Sequence, residues 1–135
     1  MIQFDLKNRV AVITGGAQGF GFSIAERFIK SGATVIIWDL NEDAAREAKE
    51  KLKSDKLSYQ ILDVTNSEQI DQNLKVIENK FNKIDIFVNN AGIAGLNRTV
   101  AKYPLDEWKK VINSNLNSVF YCCKAIVPIM EKNNY

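Results

Sequence analysis

Short apolar runs alternate along the chain with longer segments in which apolar residues recur every three or four positions. The apolar runs at residues 10–13 and 33–38 predict buried strands. Residues 57–62 predict a third, shorter strand, and residues 84–88 predict a fourth strand that is apolar on both faces. The segments between them predict amphipathic helices. Alternation of strand and helix favours a parallel sheet with right-handed crossovers. The clearest helical stripes are Phe22, Ala25, Phe28 and Ile29 in the first helix and Ile70, Leu74, Ile77 and Phe81 in the third.

Residues with capping or backbone preferences mark the ends of the predicted helices. We expect the first helix to begin at Phe20 and to stop at Gly32, which can adopt the left-handed conformation. Asn41 is the predicted N-cap of the second helix. Thr65 and Glu68 have the spacing of a capping box and therefore predict the start of the third helix.

Two further helices are predicted after a polar loop in the last third of the chain. Pro104 is compatible with the first turn of a helix that continues through Ile112. A final helix is expected to begin within residues 113–115 and to reach Met130, with a kink at Pro128 because proline has no N–H to donate.

Polar or glycine-rich segments follow all four predicted strands, at residues 14–21, Asp39, Asp63 and residues 89–92. In a doubly wound sheet with strand order 3-2-1-4, the carboxyl ends of these strands meet at one crevice, where ligands bind. The sequence therefore predicts an α/β fold of Rossmann type, a doubly wound parallel sheet of four strands in that order, with a ligand site at the crevice.

Three glycines, Gly15, Gly19 and Gly21, lie where the first strand gives way to the first helix. In a nucleotide-binding βα unit, the first makes the turn, the second admits a pyrophosphate, and the third lets the helix pack on the strand. The N–H groups and positive end of the helix then face the phosphates. A glycine-rich turn alone occurs in many α/β proteins, but the flanking elements and a later acid favour a dinucleotide. The loop also supplies Thr14, Gln18 and Phe20 as candidate cofactor-binding residues.

Asp39 ends the second predicted strand. A carboxylate there can accept hydrogen bonds from both hydroxyls of the adenosine ribose, and it repels a 2′-phosphate. Gln18 and Leu40, which flank the expected ribose site, are not basic. These residues predict NAD as the cofactor in preference to NADP. The alternative is an aspartate that only leads into the next helix.

An Asp-Val pair follows the third strand, and Asn-Asn-Ala-Gly follows the fourth. Together with the Thr-Gly-x-x-x-Gly-x-Gly spacing, these motifs resemble the short-chain dehydrogenase/reductase family, and the resemblance extends over the whole chain. An aspartate after a strand is also typical of a turn before a helix. The resemblance implies adenine contacts from Asp63 and Val64, and a cofactor-lining role for Asn90, Ala91 and Gly92.

The resemblance also implies a reaction, hydride transfer between nicotinamide and a small-molecule carbonyl or secondary alcohol. It marks Asn115 as the catalytic Asn that holds a helix carbonyl and a proton-relaying water, although Asn113 and Asn117 are equivalent to it by sequence alone. The family's catalytic Tyr-x-x-x-Lys is absent, because no tyrosine has a lysine four positions later. The sequence therefore predicts a cofactor site without the acid/base group that hydride transfer requires.

Three functions stay open. The first is the N-terminal, NAD-binding portion of a short-chain dehydrogenase/reductase, with 3-oxoacyl thioesters and sugars or polyols as alternative substrate classes. The others are a non-catalytic dinucleotide-binding module and a half-enzyme completed by another polypeptide. Because the fourth strand is apolar on both faces, we expect residues 1–135 to be a single domain, incomplete at its C-terminus and lacking the later strands. The resemblance implies a homo-oligomer for the complete enzyme.

Composition narrows the classes of function further. Hydrophobic residues make up 46% and charged residues 25% of the 135 positions, which is typical of a globular protein. A net charge of +2, with both signs spread along the chain, gives no basis for binding nucleic acid or an anionic membrane. The N-terminus shows no signal-peptide pattern and no apolar run reaches bilayer length, so we expect a cytoplasmic protein.

The chain contains no histidine, which excludes Ser-His-Asp and Cys-His catalysis and histidine-containing zinc sites. Its two cysteines, Cys122 and Cys123, are adjacent within a predicted helix and cannot form an unstrained bridge with each other. We expect them to serve as small hydrophobic residues in or near the core, and we expect no metal site.

Overall fold

The computed structural model describes residue 2 and residues 4–135, and it builds them around a four-stranded parallel sheet. The strands are β1 (Val10–Thr14), β2 (Thr34–Asp39), β3 (Leu57–Ile61) and β4 (Ile86–Val88). The strand order is β3-β2-β1-β4, which confirms the predicted doubly wound arrangement. β1 pairs with β2 on one side and with β4 on the other, and β2 pairs with β3.

Helices connect the strands and continue beyond β4. They are α1 (Gly19–Lys30), α2 (Glu42–Leu52), α3 (Ser67–Phe81), α4 (Leu105–Ile112) and α5 (Ser118–Asn133), with a 3₁₀ turn at Val100–Lys102. The last two helices are not separate as predicted, because α4 runs directly into a π-helical turn, Asn113–Asn117, and then into α5. Backbone angles stay right-handed across both junctions, with φ −63° and ψ −45° at Asn113 and φ −61° and ψ −38° at Asn117. Pro104 lies one position before α4, and Pro128 lies inside α5.

The sheet separates two hydrophobic cores. Val10 and Val12 of β1 pack into the core on the side of α3 and α5. Ala11 and Ile13 pack into the core on the side of α1 and α2. Because successive strand residues point to opposite faces, a strand covered on both faces must be apolar throughout, and β1 is fully buried.

Two predicted helix starts have different outcomes. Asn41 caps α2 as predicted, its side-chain oxygen accepting from the N–H of Ala44 at 3.0 Å. The Thr65–Glu68 capping box is wrong, because the N-cap of α3 is Asn66, whose side-chain oxygen accepts from the N–H groups of Glu68 and Gln69 at 3.1 Å each. Thr65 instead donates its hydroxyl to Asp63, so its side chain is already engaged before the helix begins.

The fourth strand is shorter than predicted, covering Ile86–Val88 instead of residues 84–88. At its start the carboxylate of Asp85, 8% exposed, accepts from the N–H of Val10 at 2.8 Å. The same carboxylate pairs with Arg9 at 3.3 Å and with Lys83 at 3.1 Å. Burial raises the pKa of Asp85, but the hydrogen bond from Val10 and the two cations outweigh it and hold the pKa below its ordinary value. Asp85 therefore fastens the amino-terminal end of the sheet, opposite the predicted crevice.

Both cysteines are free thiols. Cys122 belongs to the core between the sheet and α5, as predicted, and is 1% exposed. Burial, with a smaller effect of neighbouring Cys123, raises the pKa of the Cys122 thiol to about 12. Cys123 is half-buried, and its sulfur accepts from the Asn89 amide at 3.6 Å. Among the described residues, no helix combines the length and the apolar character needed to cross a bilayer.

Candidate cofactor crevice

A cavity of about 450 Å³ opens at the carboxyl ends of the strands. The loops that follow β1, β2, β3 and β4 all contribute to its wall, so the predicted convergence of the four strand ends occurs. Most of the predicted cofactor-binding residues line this cavity, namely Gly15, Gln18, Gly19, Phe20, Asp39, Leu40, Asp63, Val64, Asn90, Ala91 and Gly92.

Thr14, also predicted, lies beneath the cavity and does not line it. Its side chain is buried, and its hydroxyl oxygen accepts from the N–H groups of Asn90 and Ala91 at 2.9 Å each. In return, the Asn90 amide donates to the carbonyls of Thr14 and Gly15 at 3.0 and 3.1 Å. These bonds fasten the glycine loop after β1 to the loop after β4, so Thr14 positions the crevice from below.

The three loop glycines differ in their surroundings. Gly15 has φ +61°, and a Cβ there would lie 3.0 Å from Ala91 Cα. A Cβ on Gly21 would lie 2.2 Å from the Gly15 carbonyl oxygen, so only glycine lets α1 pack this closely on the turn. Gly19 has φ +54° and no atom within 4 Å of an added Cβ, which leaves its backbone accessible from the cavity. In the structure, Gly15 therefore forms the turn, Gly19 leaves its backbone open to the cavity, and Gly21 allows the close packing contact.

The N-terminus of α1 differs from those of α2 and α3. Asn41 and Asn66 cap α2 and α3 through their side chains, whereas Gln18, the N-cap of α1, makes no side-chain cap bond. No acidic residue lies in the first turn of α1 either. The first N–H groups of a helix have no partner within the helix. Those of α1 therefore remain available to an anion in the crevice.

Asp39 stands at the end of β2 on the rim of the cavity. Its two carboxylate oxygens accept from the N–H of Ala17 at 3.1 Å and from the N–H of Asn41 at 3.0 Å. The side chain is therefore held in one orientation between the glycine loop and the start of α2. Each oxygen keeps lone-pair capacity for a further donor. In the described part of the chain, no lysine or arginine lines this cavity.

Asp63 is the second carboxylate of the crevice. It forms a turn, because its Oδ1 accepts from the N–H and the hydroxyl of Thr65 at 2.9 and 2.7 Å. It also lines the cavity together with Val64. Its own N–H donates to the side-chain oxygen of Gln69 at 2.8 Å. Both carboxylates of the crevice are thus fixed by neighbouring backbone and side-chain groups.

Asn115 lies in the π-helical turn behind the loop that follows β4. Its side-chain oxygen accepts from the N–H of Ile93, and its amide donates to the Ile93 carbonyl, both at 2.8 Å. The resemblance implied a side chain that holds a helix carbonyl, but the partner is this loop. Asn113 and Asn117 bond to each other at 3.2 Å, so the structure distinguishes Asn115 from them. Asn115 does not line the cavity, although neighbouring Ser114 does.

Five cavity-lining residues were not predicted. Each is the immediate sequence neighbour of a predicted residue, so a wider window around each motif would have found it. Three of them are apolar, and an apolar residue in such a position indicates a strand or loop interior instead of a ligand site. The five residues are Trp38, Leu62, Thr65, Ile93 and Ser114.

The described residues contain no cluster of acidic or cysteine side chains that could hold a metal ion, and the chain has no histidine.

Comparison with known proteins identifies relatives over nearly the whole chain. The chain is 35% identical over 130 residues to the 3-oxoacyl-(acyl-carrier-protein) reductase FabG of Chlamydia trachomatis serovar D, covering 94% of this chain and 52% of that protein. It is 37% identical over 139 residues to a probable NADP-dependent mannitol dehydrogenase of Yarrowia lipolytica, covering 100% of this chain and 50% of that one.

A solved structure of NAD⁺-bound xylitol dehydrogenase superposes with a TM-score of 0.91 at 28% identity, covering 96% of this chain and 51% of that one. The chain thus spans about half the length of the curated relatives that it matches. The model of the family described as short chain dehydrogenase matches residues 9–135. The chain belongs to the short-chain dehydrogenase family.

Proposed function

We propose that the crevice binds a nicotinamide dinucleotide, with the pyrophosphate against the start of α1. The observation that carries this proposal is the uncapped first turn of α1, which opens toward the cavity beside the accessible backbone of Gly19. An anion there gains hydrogen bonds from N–H groups that no side chain satisfies, together with the positive end of the helix dipole. The 450 Å³ cavity extends from this turn to both carboxylates, Asp39 and Asp63.

We assign the adenosine half to the side of β2 and β3. Asp39 would accept from the ribose hydroxyls, since both of its oxygens are held at the rim and retain lone pairs. Asp63 would accept from the exocyclic amine of adenine through Oδ2, the oxygen that Thr65 leaves unused. Val64 and exposed Leu40 would cover the faces of the ring.

The same geometry supports NAD over NADP as the preferred cofactor. A 2′-phosphate would approach the Asp39 carboxylate, and no cation among the described cavity-lining residues would offset the repulsion. A smaller hollow behind Gln18 does contain Lys51, but its ammonium pairs with Glu47 at 3.9 Å. We expect a preference of about 1–3 kcal/mol, or roughly 5- to 150-fold in affinity.

The proposed activity of the whole protein is oxidoreduction of a small-molecule carbonyl or secondary alcohol. Nicotinamide supplies the hydride in such a reaction, and the protein must supply an acid/base group. Residues 1–135 contain no Tyr-x-x-x-Lys, so we propose that this group comes from outside them. Within the chain, Asn115 would act by holding the Ile93 loop against the crevice. A non-catalytic dinucleotide-binding module is the alternative, and a full-length polypeptide without Tyr-x-x-x-Lys would favour it.

Calorimetric titration of the full-length protein tests both the binding and the preference. Wild-type protein should bind NADH at least fivefold more tightly than NADPH, and Asp39→Ala should bring the two affinities within about twofold. Asp71→Ala is the matched control, since Asp71 is an exposed aspartate on α3 that does not line the cavity. Equal affinities in the wild-type protein would contradict the assignment of Asp39.

A further inference from the structure

A chain of hydrogen bonds runs beneath the adenine side of the crevice. Buried Trp38 donates its indole N–H to the side-chain oxygen of Gln60 at 2.7 Å. The Gln60 amide donates to the main-chain carbonyl of Asn73 at 3.3 Å, and the Asn73 amide donates to the main-chain carbonyl of Gln69 at 2.8 Å. The Gln69 side-chain oxygen accepts from the N–H of Asp63 at 2.8 Å. This series of hydrogen bonds therefore links Trp38, which lines the cavity, to the main-chain N–H of Asp63 on the cavity wall.

Gln69 occupies a special position at the start of α3. It is the third residue after the N-cap Asn66, where a glutamine side chain normally bonds back to the N–H of the N-cap itself. Here it reaches back further, to Asp63, and so closes the whole turn 63–66 onto the helix. The Asp63 carbonyl accepts from the Asn66 N–H at 3.0 Å, which closes the same turn from within.

These contacts leave Asp63 little freedom. Its N–H is taken by Gln69, its carbonyl by Asn66, and its Oδ1 by the N–H and the hydroxyl of Thr65. Oδ2 is the polar atom of Asp63 for which the described part of the chain provides no partner. A side chain fixed in this way can distinguish a donor from an acceptor in the ligand, because it cannot rotate to adapt.

We propose that Gln69 is a positioning residue for base recognition, holding Asp63 so that Oδ2 selects a purine bearing an amino group at C6. The proposal rests on the dinucleotide function given above. In a purine with a carbonyl at C6, the carbonyl oxygen would face Asp63 Oδ2, and both atoms are hydrogen-bond acceptors. Because the carboxylate is fixed, it cannot turn away to relieve the repulsion. Without the Gln69 bond, the turn relaxes and Asp63 can move away, so discrimination falls more than affinity does.

The test compares binding of NAD⁺ with binding of nicotinamide hypoxanthine dinucleotide, which carries a carbonyl in place of the 6-amino group. We expect the wild-type full-length protein to bind NAD⁺ at least fivefold more tightly. Gln69→Met, which keeps length and removes the acceptor, should reduce that ratio at least threefold. Gln69→Glu, which retains an acceptor, should restore it. Exposed Gln72 lies on the same helix, and Gln72→Met is the matched control that should leave the ratio unchanged.

Each outcome separates this proposal from the one on which it rests. Absence of NAD⁺ binding by wild-type protein would overturn the dinucleotide function itself. NAD⁺ binding with no preference over the hypoxanthine analogue would overturn base selection by Asp63 Oδ2 and, with it, the role of Gln69. A preference that survives Gln69→Met would overturn only the role of Gln69. Both results leave the dinucleotide function standing. Should Gln69→Met fail to fold, as judged by circular dichroism, Gln69→Ala removes the same acceptor with a smaller side chain and must lower the ratio in the same way. An unchanged ratio in Gln69→Ala would then overturn the proposal.

Discussion

Replacement of Gly21 by alanine tests how tightly α1 is packed on the glycine turn. The added Cβ would lie 2.2 Å from the Gly15 carbonyl oxygen and 2.6 Å from the Asn90 amide nitrogen. Ordinary contact begins at 3.4 Å, so the helix must recede by more than 1 Å from its present position. The carbonyl cannot yield alone, because the Asn90 amide bonds to it and the Gly15 N–H donates to Trp38 at 2.7 Å.

Two opposing effects determine the magnitude. Alanine inside a helix gains up to about 1 kcal/mol over glycine, whereas overpacking against fixed atoms costs about 1–3 kcal/mol or more. Because the obstacle at Gly21 is main chain, we expect the upper end of that cost and a net loss of about 2 kcal/mol. For a chain of this size, this lowers Tm by roughly 8 °C.

Thermal unfolding followed by circular dichroism measures the effect, and Gly19→Ala provides the matched control. The control makes the same chemical change in the same loop, but no atom lies within 4 Å of its Cβ. Its cost is the backbone strain at φ +54°, about 1 kcal/mol. Gly19→Ala should therefore melt between wild-type protein and Gly21→Ala. If the pyrophosphate binds at the start of α1 as proposed, Gly19→Ala should also bind NADH more weakly than wild-type protein, because Gly19 lines the cavity there. A Gly21→Ala protein that melts at or above the wild-type temperature would refute the packing argument.

Two further predictions concern titratable groups away from the crevice. Asp85→Asn should lower the free energy of unfolding by about 2 kcal/mol at neutral pH, since it leaves Arg9 and Lys83 without their buried partner. The folded pKa of Asp85 lies below its unfolded value near 4, so the charge stabilises the fold above about pH 4 and this contribution disappears as pH falls through the folded value. Urea unfolding should show the wild-type and variant curves converging in acid, and a constant gap would contradict this. A thiol reagent at neutral pH should modify Cys123 in the native protein and Cys122 only after unfolding, because burial raises the pKa of Cys122 to about 12; equal native rates would contradict it.

The sequence predicts the sheet well because the signal for each strand is local. A strand covered on both faces is apolar along its buried stretch, and β1 and β2 satisfy this requirement with uninterrupted buried runs at residues 10–13 and 35–38. The crevice follows from the same reasoning, since the carboxyl ends of parallel strands must meet at one edge. The sequence alone therefore places residues such as Asp39 and Gly19 at the crevice.

Three features that depend on specific side-chain hydrogen bonds were not predictable in the same way. The N-cap of α3 is Asn66, because Asp63 engages Thr65, and sequence spacing alone does not reveal that competition. The start of β4 depends on Asp85 bonding to Val10, 75 residues earlier. The π-helical turn accompanies the bonds between Asn115 and Ile93, 22 residues apart. In the last two cases the partner lies far away in the sequence, whereas in the first a competing hydrogen bond two residues away decides the outcome.

A crystal structure of the full-length protein with NAD⁺ is the most direct test of the central claim. We predict the pyrophosphate against the first N–H groups of α1, the ribose hydroxyls within hydrogen-bond distance of Asp39, and the adenine amine facing Asp63 Oδ2. A dinucleotide bound elsewhere, or bound in the crevice with the adenosine half away from Asp39 and Asp63, would contradict the account.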